Sequence, residues 1–402
     1  SDLNSAPEMF NVGFVLSDAF MEDNNNLCIS FETGEGEEFA TSVKRAALLT
    51  TGNGYMGVRA SLEEYGSLGV QGCYIRGVLD EVVEIRLALA DNLYMKKYYI
   101  QEDNLKKFEK QEFIVDLIDF LMIRFEIDGE TFYPWEGKLI SWKRWLDLST
   151  GVLHREVVWE NSKGERTAFS FERFASFADD HIYAMKASAK PLNYSGRITV
   201  TSGLDLRTKT NGQIITETVS VDAETGYLLH EGRTTSKYRF PFMTAAVNSF
   251  SEADAEWEAE ADSDFVLQRA AFDAQEGETY TLDKKICIST GRDPVGDMKE
   301  FMHSEIALLQ GKSYDDLLVE HLAVYQDLMG RLDIQICGDD EADSVVRFSG
   351  YHTLISLERN DAVHSFSAKG LTGETYCGFV WWDAEIFQLP PLLKTIDRKS
   401  VV

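Results

Sequence analysis

The segment Ser367 to Pro390, SAKGLTGETYCGFVWWDAEIFQLP, gathers the side chains of this sequence best suited to bind a sugar. Gly370, Gly373 and Gly378 are spaced among polar residues, and Trp381 and Trp382 then abut Asp383 at the head of a helical segment. An indole face stacks on the apolar C–H face of a pyranose, and a carboxylate accepts two hydroxyl hydrogen bonds in a fixed geometry. Glycine-rich backbone lets a loop fold close to such a ligand. The same residues also suit a structural arrangement, in which the tryptophans are core and Asp383 caps the following helix. Under either arrangement one of the two tryptophans is expected in the core.

Other chemistry-bearing groups point to structure. Asp179-Asp180 beside His181 offers one imidazole and adjacent acids at a strand end, which makes a turn rather than a metal site. Gly52-Asn53-Gly54 lacks the spacing and the following Lys-Ser/Thr of a phosphate loop, so a hairpin turn accounts for it. His321 and His352 lie on helical segments and read as packing histidines. No metal site and no organic cofactor are predicted.

The elements that position the loop change character along the chain. Up to about residue 290 the pattern is period two, as in Ile123 to Ile127 and Arg197 to Thr201, with turn signals at Asp128-Gly129, Asn161 to Gly164 and Asn211-Gly212. Many short strands at turn spacing predict an antiparallel β-sandwich. The acidic tract Ser251 to Asp264 reads as a solvated loop or edge strand. After Gly291 the spacing becomes helical. Ser313 and Asp316 form a capping pair ahead of the apolar stripe Leu317, Leu318, Leu322, Tyr325, Leu328 and Met329, and Val345 to Ile355 supplies another helix.

Composition bounds the function. Asp+Glu number 67 against 39 Lys+Arg, a net charge of −28 that disfavours nucleic acid and anionic membranes. No apolar run approaches the roughly 18 residues of a membrane span, and no signal peptide is evident. Five scattered cysteines without a C-x-x-C pair fit reduced thiols and a cytoplasmic setting.

The run AKGLTGE…GF-WWDAEIF-LP resembles the loop and helix entrance of family 65 glycoside phosphorylases, the maltose/trehalose/kojibiose phosphorylase family. Thr51 to Arg59 (TGNGYMGVR), Glu63-Glu64, Gly72 to Gly77 (GCYIRG), Leu146-Asp147-Leu148 with Gly151-Val152-Leu153, Glu172-Arg173-Phe174, His321, Gly338 to Ala342 and Arg347-Phe348 are similar to further family segments in the same order. Tyr325 and Met329 stand where the family has tryptophans, a change of packing, and Phe379 stands where it commonly has His.

This resemblance implies a β + α chain: an N-terminal antiparallel β-sandwich over 1–295, a helical linker over 296–340, and the start of an (α/α)6 barrel over 341–396. Residues 397–402 depart from the pattern and read as a non-native tail. It further implies inverting phosphorolysis of an α-glucoside to β-glucose 1-phosphate, with a disaccharide and inorganic phosphate as substrates and a homodimeric full-length enzyme. Trp382 and Asp383 match the positions that hold the non-reducing glucose, Lys369 and Gly370 lie in the adjoining loop, and Arg347 is expected to face the same cavity. The general-acid Glu and the phosphate-binding groups belong to later barrel segments, so none is assigned here and the chain reads as a fragment. Barrel helices cut off from their neighbours would leave Phe348, Tyr351, Leu354, Ile355, Trp381, Ile386, Phe387, Leu389, Leu392 and Leu393 without partners. The alternatives are a same-fold hydrolase of the acid trehalase kind, which needs a base carboxylate to activate water, and a non-catalytic carbohydrate-binding sandwich.

Overall fold

A computed structural model describes residues 28–32, 45–64, 72–83, 110–224, 226–251, 255–357, 359–361, 365, 367–382, 384–388 and 390. Asp383, Leu389, Leu392, Leu393 and the expected tail 397–402 lie outside these residues. The strands are β1 (Cys28–Glu32), β2 (Thr51–Gly52), β3 (Met56–Val58), β4 (Cys73–Val83), β5 (Lys110–Asp116), β6 (Ile123–Ile127), β7 (Glu130–Thr131), β8 (Lys138–Asp147) and β9 (Val152–Glu160). They continue with β10 (Arg166–Ala175), β11 (Ile182–Pro191), β12 (Gly196–Asp205), β13 (Thr216–Glu224), β14 (Tyr227–Thr234), β15 (Pro241–Phe250), β16 (Glu256–Ala261), β17 (Phe265–Ala274) and β18 (Tyr280–Thr290). Three helices follow: α1 (Met298–Gln310), α2 (Tyr314–Leu332) and α3 (Asp340–Leu354).

Among the described residues every strand pairing is antiparallel. One sheet runs β1-β8-β9-β10-β11-β18-β15-β14-β13, a second β16-β17-β12-β6-β7, and a third β2-β3-β4-β5. The first two stack through alternating side chains: Phe125 of β6 lies 5.2 Å from Phe169 of β10, and Phe132 stacks on Phe169 at 4.3 Å. The hairpin turns are chemically determined. Asp128-Gly129 (φ 48° and 86°) and Asn211-Gly212 (φ 47° and 79°) both need two left-handed residues in succession, which Asp/Asn-Gly tolerates. In the β2–β3 turn, Asn53 Oδ1 accepts the amides of Tyr55 and Met56, so Gly52-Asn53-Gly54 is a hairpin turn. The acidic tract places β16 at the edge of the five-stranded sheet.

Helices α1 and α2 cover the outer face of the nine-stranded sheet, with Met302, Ile306, Leu309, Tyr314 and Leu317 against Phe174, Ile182, Ala245 and Cys287. The expected capping box forms, Ser313 and Asp316 satisfying each other's amides. His321 is clamped between the Phe177 amide (3.1 Å) and the Thr150 carbonyl (2.8 Å), and burial pushes it down to about 4. His352 bonds the Leu48 carbonyl and is likewise held near 4 by burial, so both are packing histidines. Tyr325 is buried with its hydroxyl on Leu148 O, 2.7 Å.

Two packing expectations change. Phe348, Tyr351, Leu354 and Ile355 are buried, because Leu146, Leu148 and Leu153 of the sandwich, with Tyr325 and Met329 of α2, supply their partners. Neither tryptophan is core: Trp381 is 45% and Trp382 67% exposed, and Ile386 and Phe387 are exposed beside them. The chain is anchored on either side of them, by Leu371 and Cys377 before and by Ala384 after, and the indoles project between these buried points. After α3, short helical turns form at Thr375–Gly378 and Ala384–Gln388.

Candidate sugar-binding site

The glycine-rich loop lies on the four-stranded sheet. Leu371 is buried with Tyr74 of β4 and Ile114 of β5. It fits because β3 carries Gly57, where an added Cβ would collide with the Leu371 side chain and carbonyl. Gly378, at φ +77°, allows a second close approach; a Cβ there would stand 2.7 Å from Ile114 Cβ. Gln111 donates to Cys377 Sγ (2.9 Å), and Glu374 Oε2 accepts the Asn211 amide (2.7 Å).

Two arginines complete the attachment. Arg76 on β4 is buried and donates to three carbonyls from separate segments: Gly54 (2.7 Å), Ser365 (2.7 Å) and Ser356. Arg59, just past β3, donates to Thr372 O at 2.7 Å. Its own segment is held by a buried ion cluster. Arg155 contacts Glu63 and Glu64 at 2.5 Å, Arg173 lies 2.9 Å from Glu63, and Arg144 and Arg173 donate to the carbonyls of Ala60 and Ser61. Burial pushes the Glu63 carboxyl up, but Arg155 and Arg173 outweigh it and hold the group below its ordinary value.

The sequence-predicted residues divide in this frame. Gly370 has φ +57°, and a Cβ there would run into Ser356 Oγ. Lys369 Nζ lies 5.9 Å from the Tyr376 ring centroid, and Tyr376 meets Trp381 edge-on at 6.1 Å. Trp382 stands free of that row and open to solvent. Lys369, Gly370 and Trp382 thus share one loop. Arg347 sits on α3, with its ion pairs to Asp333 (2.7 Å) and Asp343 (2.9 Å). Glu374 is pushed up to about 7 by burial, against the Asn211 amide and Arg59, and its Oε2 is engaged by that amide. The arrangement can stack a sugar ring on exposed indoles. Asp179 to His181 form a turn, with Asp180 taking Arg359 at 2.9 Å.

Reading the sequence for sugar chemistry missed Arg59, Arg76 and Glu374. A signal existed for Arg76: it interrupts Tyr74-Ile75-Arg76-Gly77-Val78, a strand otherwise apolar enough for burial, where a cation needs internal acceptors.

The chain belongs to glycosyl hydrolase family 65: that family's N-terminal domain matches residues 35–328 and its central catalytic domain residues 347–402. A 3-O-alpha-D-glucosyl-L-rhamnose phosphorylase of Lachnoclostridium phytofermentans is 41% identical over 353 residues, covering 87% of this chain and 46% of that protein. A kojibiose phosphorylase of Halothermothrix orenii is 29% identical over 401 residues, covering 92% and 47%. An alpha,alpha-trehalose phosphorylase of Thermoanaerobacter brockii is 26% identical over 377 residues, covering 88% and 46%. The chain therefore spans about half the length of these relatives. A solved structure provisionally assigned as a kojibiose phosphorylase from the human microbiome superposes with a TM-score of 0.80 at 17% identity, over 94% of this chain and 48% of that one, a likeness of fold.

Proposed function

We propose that this chain carries the sandwich, linker and first barrel segment of an inverting α-glucoside phosphorylase. Trp382 and Asp383, with Lys369 and Gly370 beside them, form part of the subsite for the non-reducing glucose, and Arg347 borders it from α3. The sandwich occupies 1–295, the linker 296–340 and the barrel segment 341–396. The reaction uses inorganic phosphate and no other cofactor, in a reducing cytoplasmic setting suited to five free thiols, and the whole enzyme is a homodimer. The observation that carries the reading is the exposed indole of Trp382 at the end of a loop otherwise clamped to the sheet. The phosphorylase names of the relatives favour phosphate over water as the nucleophile.

The test joins residues 1–402 to the C-terminal remainder of the Lachnoclostridium relative and assays glucose 1-phosphate release from 3-O-α-D-glucosyl-L-rhamnose, kojibiose, nigerose and trehalose. Release of β-glucose 1-phosphate from at least one is expected, and none from residues 1–402 alone. Asp383→Asn should lose about 2–4 kcal/mol of transition-state stabilisation through a lost charged acceptor. Trp382→Ala should raise KM for the glucoside. Phosphate-independent release of glucose would replace this reading with the hydrolase.

A further inference from the structure

We propose that Arg59 and Arg76 are positioning residues of the sugar subsite, through which the sandwich sets the placement of the loop bearing Lys369, Gly370 and Trp382. The inference rests on the functional reading above, since it assumes that this loop holds the glucose. Arg76 joins the β2–β3 turn at Gly54, the chain just past α3 at Ser356 and the loop entrance at Ser365. Arg59 grips Thr372, beyond Gly370, and passes so near Gly373 that a Cβ there would lie 3.2 Å from its Nη1. The two guanidiniums therefore hold both ends of the short stretch containing Lys369 and Gly370.

Within the loop, the Gly370 amide donates to Ser367 O (3.0 Å), Ser367 Oγ to Gly370 O, Thr372 Oγ1 to Lys369 O (2.9 Å), the Cys377 amide to Glu374 O (2.8 Å), the Phe379 amide to Tyr376 O (3.0 Å), and the Ala368 amide to Phe379 O (3.4 Å). The last of these ties the pinned stretch to the residues leading into Trp381 and Trp382. Shifting either end moves the indoles. The arginines are held at their own backbone: the segment following Arg59 is locked by Arg144, Arg155 and Arg173, and the Arg76 amide donates to Tyr55 O at 2.9 Å. A planar guanidinium reaches several carbonyls at once, whereas a lysine ammonium cannot span the same three segments.

Two measurements on Arg76→Lys and Arg59→Lys test the proposal. In residues 1–402, amide exchange over 367–379 is expected to quicken at least tenfold while β9, β10 and β11 keep their protection. In the joined enzyme, KM for the glucoside is expected to rise at least tenfold with KM for phosphate within twofold. Unchanged exchange in both variants, or the two KM values rising together, would overturn it. If Arg76→Lys fails to fold, Arg59→Lys, at a residue that holds Thr372 rather than three separate segments, still decides. An inactive parent enzyme would sink the functional reading, while the exchange result would still show whether the arginines place the loop.

Discussion

Glu374 faces Arg59 from the segment after β3, Asp116 from β5, Tyr74 from β4 and the Asn211 amide, and burial raises its carboxyl to about 7 from an ordinary 4.5. Between those two values the folded protein holds a proton that the unfolded chain has released. Stability therefore falls as pH rises from about 4.5 to 7, then levels off for this group. Glu374→Gln keeps an oxygen for the Asn211 amide and cannot ionise. It should be more stable than the parent at pH 8 by about 1–3 kcal/mol and nearly equal to it at pH 5, read from urea unfolding at the two values. An equal gap at both would mean the carboxyl titrates normally.

At the scale of elements, local chemistry was legible and long-range pairing was not. Asp128-Gly129 and Asn211-Gly212 announce their turns because few other residues accept two successive positive φ values, and Ser313/Asp316 announces α2 because orphan amides need acceptors. The placement of β18 between β11 and β15 depends on packing across a hundred residues, which no local window contains. The docking of the glycine loop onto β3–β5 is likewise written some three hundred residues away, in Gly57, Arg59 and Arg76. That is why the loop looked like a sugar site in sequence while its supports looked like ordinary strand residues, and why α3 was expected to lack a partner it finds on the sandwich. The dock makes a prediction of its own. Gly57→Ala should destabilise the protein by about 1–3 kcal/mol through overpacking against Leu371. Leu371→Gly, which removes the colliding Cβ, should make the double variant lose less than the sum of the single losses; relief is partial because the Leu371 carbonyl remains in the way, and a double-mutant cycle by urea unfolding measures the coupling. Strictly additive losses would mean that the two sites do not touch.

For the whole molecule, 67 acidic side chains against 39 basic ones set repulsion against cohesion. Exposed pairs such as Arg166–Glu160 and Lys312–Glu320, each at 2.6 Å, are cohesive but weak, and salt weakens them further. The net charge is −28, and folding brings those charges closer together than they lie in the unfolded chain. Salt screens that repulsion too, and it acts on many more charge pairs than there are ion pairs. The buried contacts of Arg155 with Glu63 and Glu64 are shielded from solvent ions and change little. Raising NaCl from about 10 to 200 mM, where the screening length shortens from about 30 Å to under 8 Å, should therefore stabilise residues 1–402 by about 1–3 kcal/mol in urea unfolding near neutral pH. At pH 4.5, where carboxylates begin to protonate, the gain should shrink, which a general salting effect on apolar surface would not do. A salt response that is flat or negative at neutral pH would mean that the exposed ion pairs outweigh the net charge.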